Sequence, residues 1–160
     1  MAVASFEDLC AGFCELVGVK TPQLSTSESG LIAFHVVLKG ITVNIVQRPD
    51  ASQDHVFVLF ELGHLGGDDE SPAQMQALLD ANHVMLQMNP PVFSRNPDNG
   101  HAVLQLIYPM FEATPNDLYE MIDKGIDWAS HWREEIMADD DAGVDGRGSE
   151  QSLAMLHHMA

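Results

Sequence analysis

Apolar residues recur along this chain with two periods, and the changes of period mark its elements. Phe6, Leu9, Cys10, Phe13, Leu16 and Val17 are three or four residues apart, the spacing of one side of a helix. Ser5-Phe6-Glu7-Asp8 places a hydroxyl N-cap before a carboxylate three residues on, and Gly18 supplies a stop. The spacing predicts a helix from Ser5 to Val17. Thr21 to Gly30 is polar and reads as loop. Period two then takes over. Leu31–Leu38 puts Ile32, Phe34, Val36 and Leu38 on one face, and Lys39-Gly40 makes a tight turn. Ile41–Arg48 alternates Ile41, Val43 and Ile45 against Thr42, Asn44 and Gln47. His55–Leu62 is apolar at nearly every position, as in a strand buried on both sides or lying near an interface.

The stretch from Ser71 to Met88 returns to helical spacing, but its apolar residues spread too far round. Met75, Leu78, Leu79, Asn82, Met85 and Leu86 share one face, expected to pack on the sheet. Ala77, Ala81, Val84 and Met88 fill the flank, and only Gln76, Asp80, His83 and Gln87 form a polar strip. A surface helix needs one apolar stripe about 100° wide. This one is nearly twice that, so either it is the central helix of the domain or its second face meets another chain. Ser71-Pro72 opens the helix and Pro90-Pro91 ends it. Val92–Ser94, an Asn96–Gly100 turn and His101–Tyr108 read as a hairpin. Thr114-Pro115-Asn116-Asp117 starts a last amphipathic helix of about two dozen residues, with Leu118, Met121, Ile122, Gly125, Trp128, Ala129, Trp132 and Ile136 on one face.

The order α-β-β-β-α-β-β-α predicts an α+β domain, an antiparallel sheet covered by helices, over residues 1–138. From Asp139 to Ala160 the composition becomes acidic and glycine-rich, and this tail is expected to be disordered, with one or two turns of weak helix at Ser152–His158. A chain of 160 residues suffices for one domain with a real core.

Charge narrows the partners. Twenty-four acids against seven bases give −17, a surface that repels nucleic acid and anionic membranes and favours a basic partner or simple solubility. No apolar run is long enough to span a membrane, and MAVASFEDLC lacks the basic start of a secretory signal, which points to a cytoplasmic protein. Cys10 and Cys14 sit at helical spacing and read as small reduced hydrophobes.

The residues offer little chemistry. No nucleophile elbow, phosphate loop or HExxH occurs. His64 with Asp68, Asp69 and Glu70 could hold a hard cation, but a solvated acidic loop accounts for the same residues. Asp139–Glu150 has the length and the acidic ends of an EF-hand loop, yet Val144 stands where the sharp turn needs glycine. No catalytic residue, metal ligand or cofactor is assigned. What remains is surplus apolar surface, which in a soluble acidic protein points to a protein partner unless the helices at 71–88 and 115–137 cover it.

Leu78-Leu79-Asp80-Ala81-Asn82 resembles the leucine-pair and Ala-Asn signature of the class I type III secretion chaperones, the group that includes the Tir chaperone. The small acidic chain, the element order and the long last helix resemble that family over residues 3–137. The resemblance implies a bacterial cytoplasmic homodimer without enzymatic activity that holds the N-terminal segment of a secreted effector in extended form. On this basis Phe6, Leu9, Phe13, Phe34, Val36, Ile41 and Val43 are expected to line effector-binding pockets. Ala77, Ala81, Val84 and Met88 are expected at the dimer interface. The alternatives are a regulatory binding protein of the same fold and a small metal protein using His64, His83 or His101.

Overall fold

The computed structural model describes residues 3, 5–28, 30–66, 71–85 and 87–138. The tail from Asp139 to Ala160, with its EF-hand-like stretch, lies outside the described residues, as do Asp68, Asp69 and Glu70 of the acidic loop. The elements are α1 (Phe6–Val17), β1 (Ser25–Thr26), β2 (Ile32–Leu38), β3 (Ile41–Arg48), β4 (Ser52–His64), α2 (Ser71–Val84), β5 (Val92–Arg95), β6 (His101–Pro109) and α3 (Pro115–Ala138). One antiparallel sheet runs β1-β2-β3-β4-β6-β5.

Local chemistry sets most boundaries. Ser5 Oγ accepts from the Asp8 amide at 3.1 Å and donates to the Asp8 carboxylate at 2.8 Å. Gly18 ends α1 in the left-handed region, and the Val19 amide bonds back to Cys14 O. Thr114 repeats the N-terminal device for α3, accepting from the Asp117 amide. Lys39 and Gly40 both adopt positive φ, which makes the two-residue β2–β3 turn match the twist of its strands. The strand Ser25–Thr26 lies inside the segment expected to be loop, and β4 is longer than its apolar run, with a bulge between Glu61 and Gly63.

Helices α1 and α3 cover one face of the sheet. Phe34 and Val36 of β2, Ile41, Val43 and Ile45 of β3, Val56, Val58 and Phe60 of β4, and Leu104 and Leu106 of β6 alternate into this layer. They meet Phe6, Leu9 and Phe13 of α1 and Leu118, Ile122, Ile126 and Ala129 of α3. The approach of α3 is close. A Cβ on Gly125 would lie 2.2 Å from Cζ of Phe60, so only glycine lets the helix rest on that ring. Cys10 and Cys14 are buried here as free thiols; burial pushes both upward, and for Cys10 the neighbouring Cys14 and Glu7 add to it.

This layer corrects the expected pockets. Phe6, Leu9, Phe13, Phe34, Val36, Ile41 and Val43 are all at most 6% exposed. They form the core between sheet and helices rather than a surface open to a partner. The periodic apolar stripe of α1 is consumed by α3 and the sheet.

The middle helix also departs from expectation, in length and in rotation. It ends at Val84, and Asn89 takes φ 50° before Pro90. A residue before proline is pushed out of the helical region, and the proline ring would clash with the carbonyl four residues back. Met88 therefore lies beyond the helix, 92% exposed. The buried residues are Gln74, Leu78, Ala81 and Met85, while Leu79 is 67% exposed and Met75 also lies outside. The inner face is turned by most of one residue step, which moves Ala81 from the expected outer flank into the core. Polar bonds explain the rotation. Gln74 Oε1 accepts from the Gly66 amide at 2.7 Å, and Asn82 is fixed to β5. The helix packs against β5 at the sheet's end, not across the sheet.

Candidate functional site

An antiparallel sheet has two edges, and each residue of an edge strand points both of its backbone groups either inward or outward. At the β5 edge the outward groups of Phe93 are taken. The Asn82 side-chain Nδ2 donates to Phe93 O at 3.0 Å, and Asn82 Oδ1 accepts from the Phe93 amide at 2.7 Å. The carboxamide thus replaces the strand that would otherwise continue the sheet. Phe93 also packs edge-on against Trp132 of α3, with ring centroids 4.9 Å apart.

The β2 edge is different. Leu31 O accepts from the Ser27 amide and Ala33 O from Ser25 Oγ, so these odd-numbered residues turn their backbone outward. The β2–β3 register is continuous from Ile32 to Leu38, which carries the same alternation on to His35 and Val37. Strand β1 spans only Ser25–Thr26 and pairs with Ala33 and Ile32. Among the described residues nothing pairs with the outward N–H and C=O of His35 and Val37, and the Val37 side chain is 63% exposed. At the far end of this edge, α3 clasps the β2–β3 turn. Lys39 Nζ donates to the Asp123 carboxylate at 2.8 Å, which raises the lysine pKa, and Arg133 Nη1 donates to Gly40 O at 3.2 Å.

The sheet face turned away from α1 and α3 carries the alternate residues of each strand. Ala33, Val46, Phe57, Leu59 and Gln105 floor a concavity of about 670 Å³, rimmed by Ser25, Thr26 and Ser27 on the β1 side and by Asn96 and Asp98 on the β5–β6 turn. Its floor is mainly apolar, and it meets β2 at Ala33, the end of the strand that pairs with β1. Further along the same face, Glu61 accepts from Asn44 Nδ2 at 3.1 Å and meets His101 Nδ1 at 3.1 Å. The His64 and His101 rings lie edge to face at 6.0 Å. His83 is exposed on α2. Among the described residues no three His, Cys, Asp or Glu side chains are arranged to hold a metal ion, and no helix is long and apolar enough to cross a membrane.

Of the residues assigned to a dimer contact, Ala77 is exposed, Val84 half-buried, Met88 exposed beyond the helix, and Ala81 buried within its own chain. The edge-closing role of Asn82 was not read from the sequence. Its signals there are a polar carboxamide on an otherwise apolar helix face and its place in the Leu78–Asn82 motif.

Among the described residues the arrangement is three helices and an antiparallel sheet with one edge sealed and one free. The pattern of the Tir chaperone protein (CesT) family matches residues 9–133, and the chain belongs to that family. Solved structures agree in fold. A chain of the ExsC–ExsE complex superposes with a TM-score of 0.62 at 15% identity, over 80% of this chain and 90% of that one. The Yersinia pestis type III secretion chaperone SycH, in complex with a fragment of YscM2, gives 0.55 at 16% identity, over 80% and 99%. The HopA1–SchA chaperone–effector complex gives 0.54 at 12% identity, over 81% and 93%. No curated protein sequence matches the chain.

Proposed function

We propose that this protein is a cytoplasmic, non-enzymatic chaperone of type III secretion. It receives an extended N-terminal segment of an effector as an added strand on the outer edge of β2. The observation that carries the reading is the asymmetry of the edges. Asn82 seals β5, while among the described residues nothing pairs with the outward backbone groups of His35 and Val37, and an apolar concavity lies on the same sheet face nearer Ala33. Backbone bonds would hold any sequence in extended form, and alternate apolar side chains would enter the concavity, keeping the segment from aggregating. The net charge of −17 adds long-range attraction for a basic segment. The solved relatives with chaperone and effector in one complex support the reading.

The outer side of α2, with Ala77 and Leu79 exposed and Val84 half-buried, is the surface we assign to a homodimer, with the exposed Met88 just beyond it. A two-fold axis would set these residues against themselves.

The test is Val37→Pro. Proline is tolerated at an edge position whose N–H faces outward, and the Val37 N–H bonds no neighbour within the described sheet. The fold should persist, with the urea midpoint little changed. Affinity for the effector captured from the bacterium carrying this gene should fall about tenfold, the value of roughly one backbone hydrogen bond plus the ring's bulk. Unchanged affinity with an intact fold would move the effector off this edge.

A further inference from the structure

We propose that strand β1 is a placeholder: an effector displaces Leu24–Thr26, pairs with the whole of β2, and sets a large apolar side chain into the concavity beside Ala33. This rests on the reading of β2 as the receiving edge, and it assigns the extent of that edge and the side chains that fit it.

The free edge and the concavity lie at opposite ends of β2. Outward backbone alternates with residue number, so the outward positions are Leu31, Ala33, His35 and Val37. Beyond β1 only His35 and Val37 remain, which offer an incoming strand few backbone bonds. The concavity of about 670 Å³ is at the other end. It meets β2 at Ala33, and Ser25, Thr26 and Ser27 stand at its rim. Ala33 is the residue opposite Ser25. Side chains of paired strands lie beside those of their cross-strand partners. An effector strand on this edge therefore reaches the concavity only from the place that Ser25 now holds. When β1 leaves, the edge and the concavity become one surface.

Little holds β1. It is two residues long, and both are exposed, so it buries no apolar side chain of its own. One of its bonds to β2 comes from a side chain, Ser25 Oγ to Ala33 O at 3.2 Å. On its far side, the Ser27 amide bonds Leu31 O and the Gly30 amide bonds Ser27 O. This small turn stays closed by its own bonds and serves as the pivot. On the near side the one apolar anchor is Leu24, half-buried against the core. The β1 register, carried one residue back, sets Leu24 opposite Phe34 on the helix-covered face.

Two adjacent positions then define the effector segment. The residue opposite Phe34 takes over the contact of Leu24. Its neighbour opposite Ala33 points to the other face, into the concavity floored by Val46, Phe57 and Leu59. β1 places Leu24 and Ser25 at these positions, so it meets the first requirement and not the second. A segment with two consecutive large apolar residues meets both, and the burial at Ala33 is what lets it outcompete β1. A third apolar residue, opposite the exposed Val37, adds to the pairing.

A cross-strand disulfide tests the displacement. Thr26 and Ile32 form the pair whose backbone bonds point away from each other. Such a pair has Cα atoms about 4.5 Å apart, within the range of a disulfide. Thr26→Cys with Ile32→Cys pins β1 when oxidised and frees it when reduced, so one protein is its own control. Cys10 and Cys14 are buried and stay out of the exchange. The probe is the effector that copurifies with the full-length chain. The oxidised protein should bind it about tenfold more weakly than the reduced one. Ser25→Pro works in the other direction. It removes the Ser25 Oγ bond and the Ser25 amide from the β1–β2 pair, and should tighten effector binding about threefold. Equal affinity of the oxidised and reduced forms would overturn the proposal, and so would a Ser25→Pro protein that binds no more tightly than wild type. A lock without effect, beside a Val37→Pro that weakens binding, retires the displacement and keeps His35 and Val37 as the receiving edge. A lock that weakens binding, beside a Val37→Pro without effect, keeps the Ala33 end and retires the reading of His35 and Val37.

Discussion

Replacing Asn82 by Ala removes both halves of the carboxamide that closes β5. The Phe93 amide loses an acceptor at 2.7 Å and the Phe93 carbonyl a donor at 3.0 Å. A typical hydrogen bond contributes about 1 kcal/mol net, and an orphaned buried group costs about 1–3 kcal/mol. Asn82 is half-buried, so water recovers part of the loss. The two together amount to about 2 kcal/mol, roughly 6–10 °C in the melting midpoint of a domain this size. Gln76→Ala, on the exposed side of the same helix, should stay within about 0.5 kcal/mol of wild type and serves as the control. Urea unfolding followed by circular dichroism reads the difference. The freed β5 edge should also raise light scattering on concentration. Asn82→Asp separates donor from acceptor. It keeps the bond from the Phe93 amide but sets a second oxygen against the Phe93 carbonyl, where only a protonated acid can donate. If Asn82→Ala unfolds within 0.5 kcal/mol of wild type, the carboxamide is not what seals this edge.

Gly125→Ala should destabilise by about 2 kcal/mol, because a methyl 2.2 Å from Phe60 overpacks a fully buried ring by more than the alanine helix propensity of about 1 kcal/mol restores. Phe60→Leu added to it should recover part of the loss in the same urea titration. Cys10 and Cys14, buried and with raised thiol pKa values, should resist iodoacetamide at pH 8 in the native protein and react fully in urea; mass spectrometry after a timed quench reads the labelling. Leu79→Glu with Met88→Glu should convert a dimer to a monomer in multi-angle light scattering, since two exposed apolar side chains of the proposed contact become charges. An unchanged mass would remove α2 from the interface.

The elements that could be read from the sequence are those whose boundaries are written locally. The Ser5 and Thr114 caps, the Gly18 stop and the Lys39-Gly40 turn act within four residues of themselves, and the structure places each element where they say. What failed was which side of an element meets what. On α2 the apolar residues go nearly all the way round, so hydrophobicity left its rotation undetermined. Two carboxamides chose it instead, Gln74 through the Gly66 amide and Asn82 through the Phe93 backbone, one partner eight and the other eleven residues away. On α1 and β2 the periodicity was right and its meaning wrong. Phe6, Phe13 and Phe34 alternate as pocket residues would, but an apolar stripe reads the same whether a helix of its own chain or a foreign segment covers it. α3 covers it.

The property that does separate core from binding surface is where backbone hydrogen bonds run out, and side-chain periodicity does not encode it. The Leu78–Asn82 motif shows the connection in a single residue. Asn82 belongs to a family-like signature on an apolar helix, and its carboxamide stands in for a strand at β5. Once that edge is filled, any chain segment that extends the described sheet must do so at β2. A sealed edge on one side is thus as much a part of directing an extended partner as the open edge is on the other.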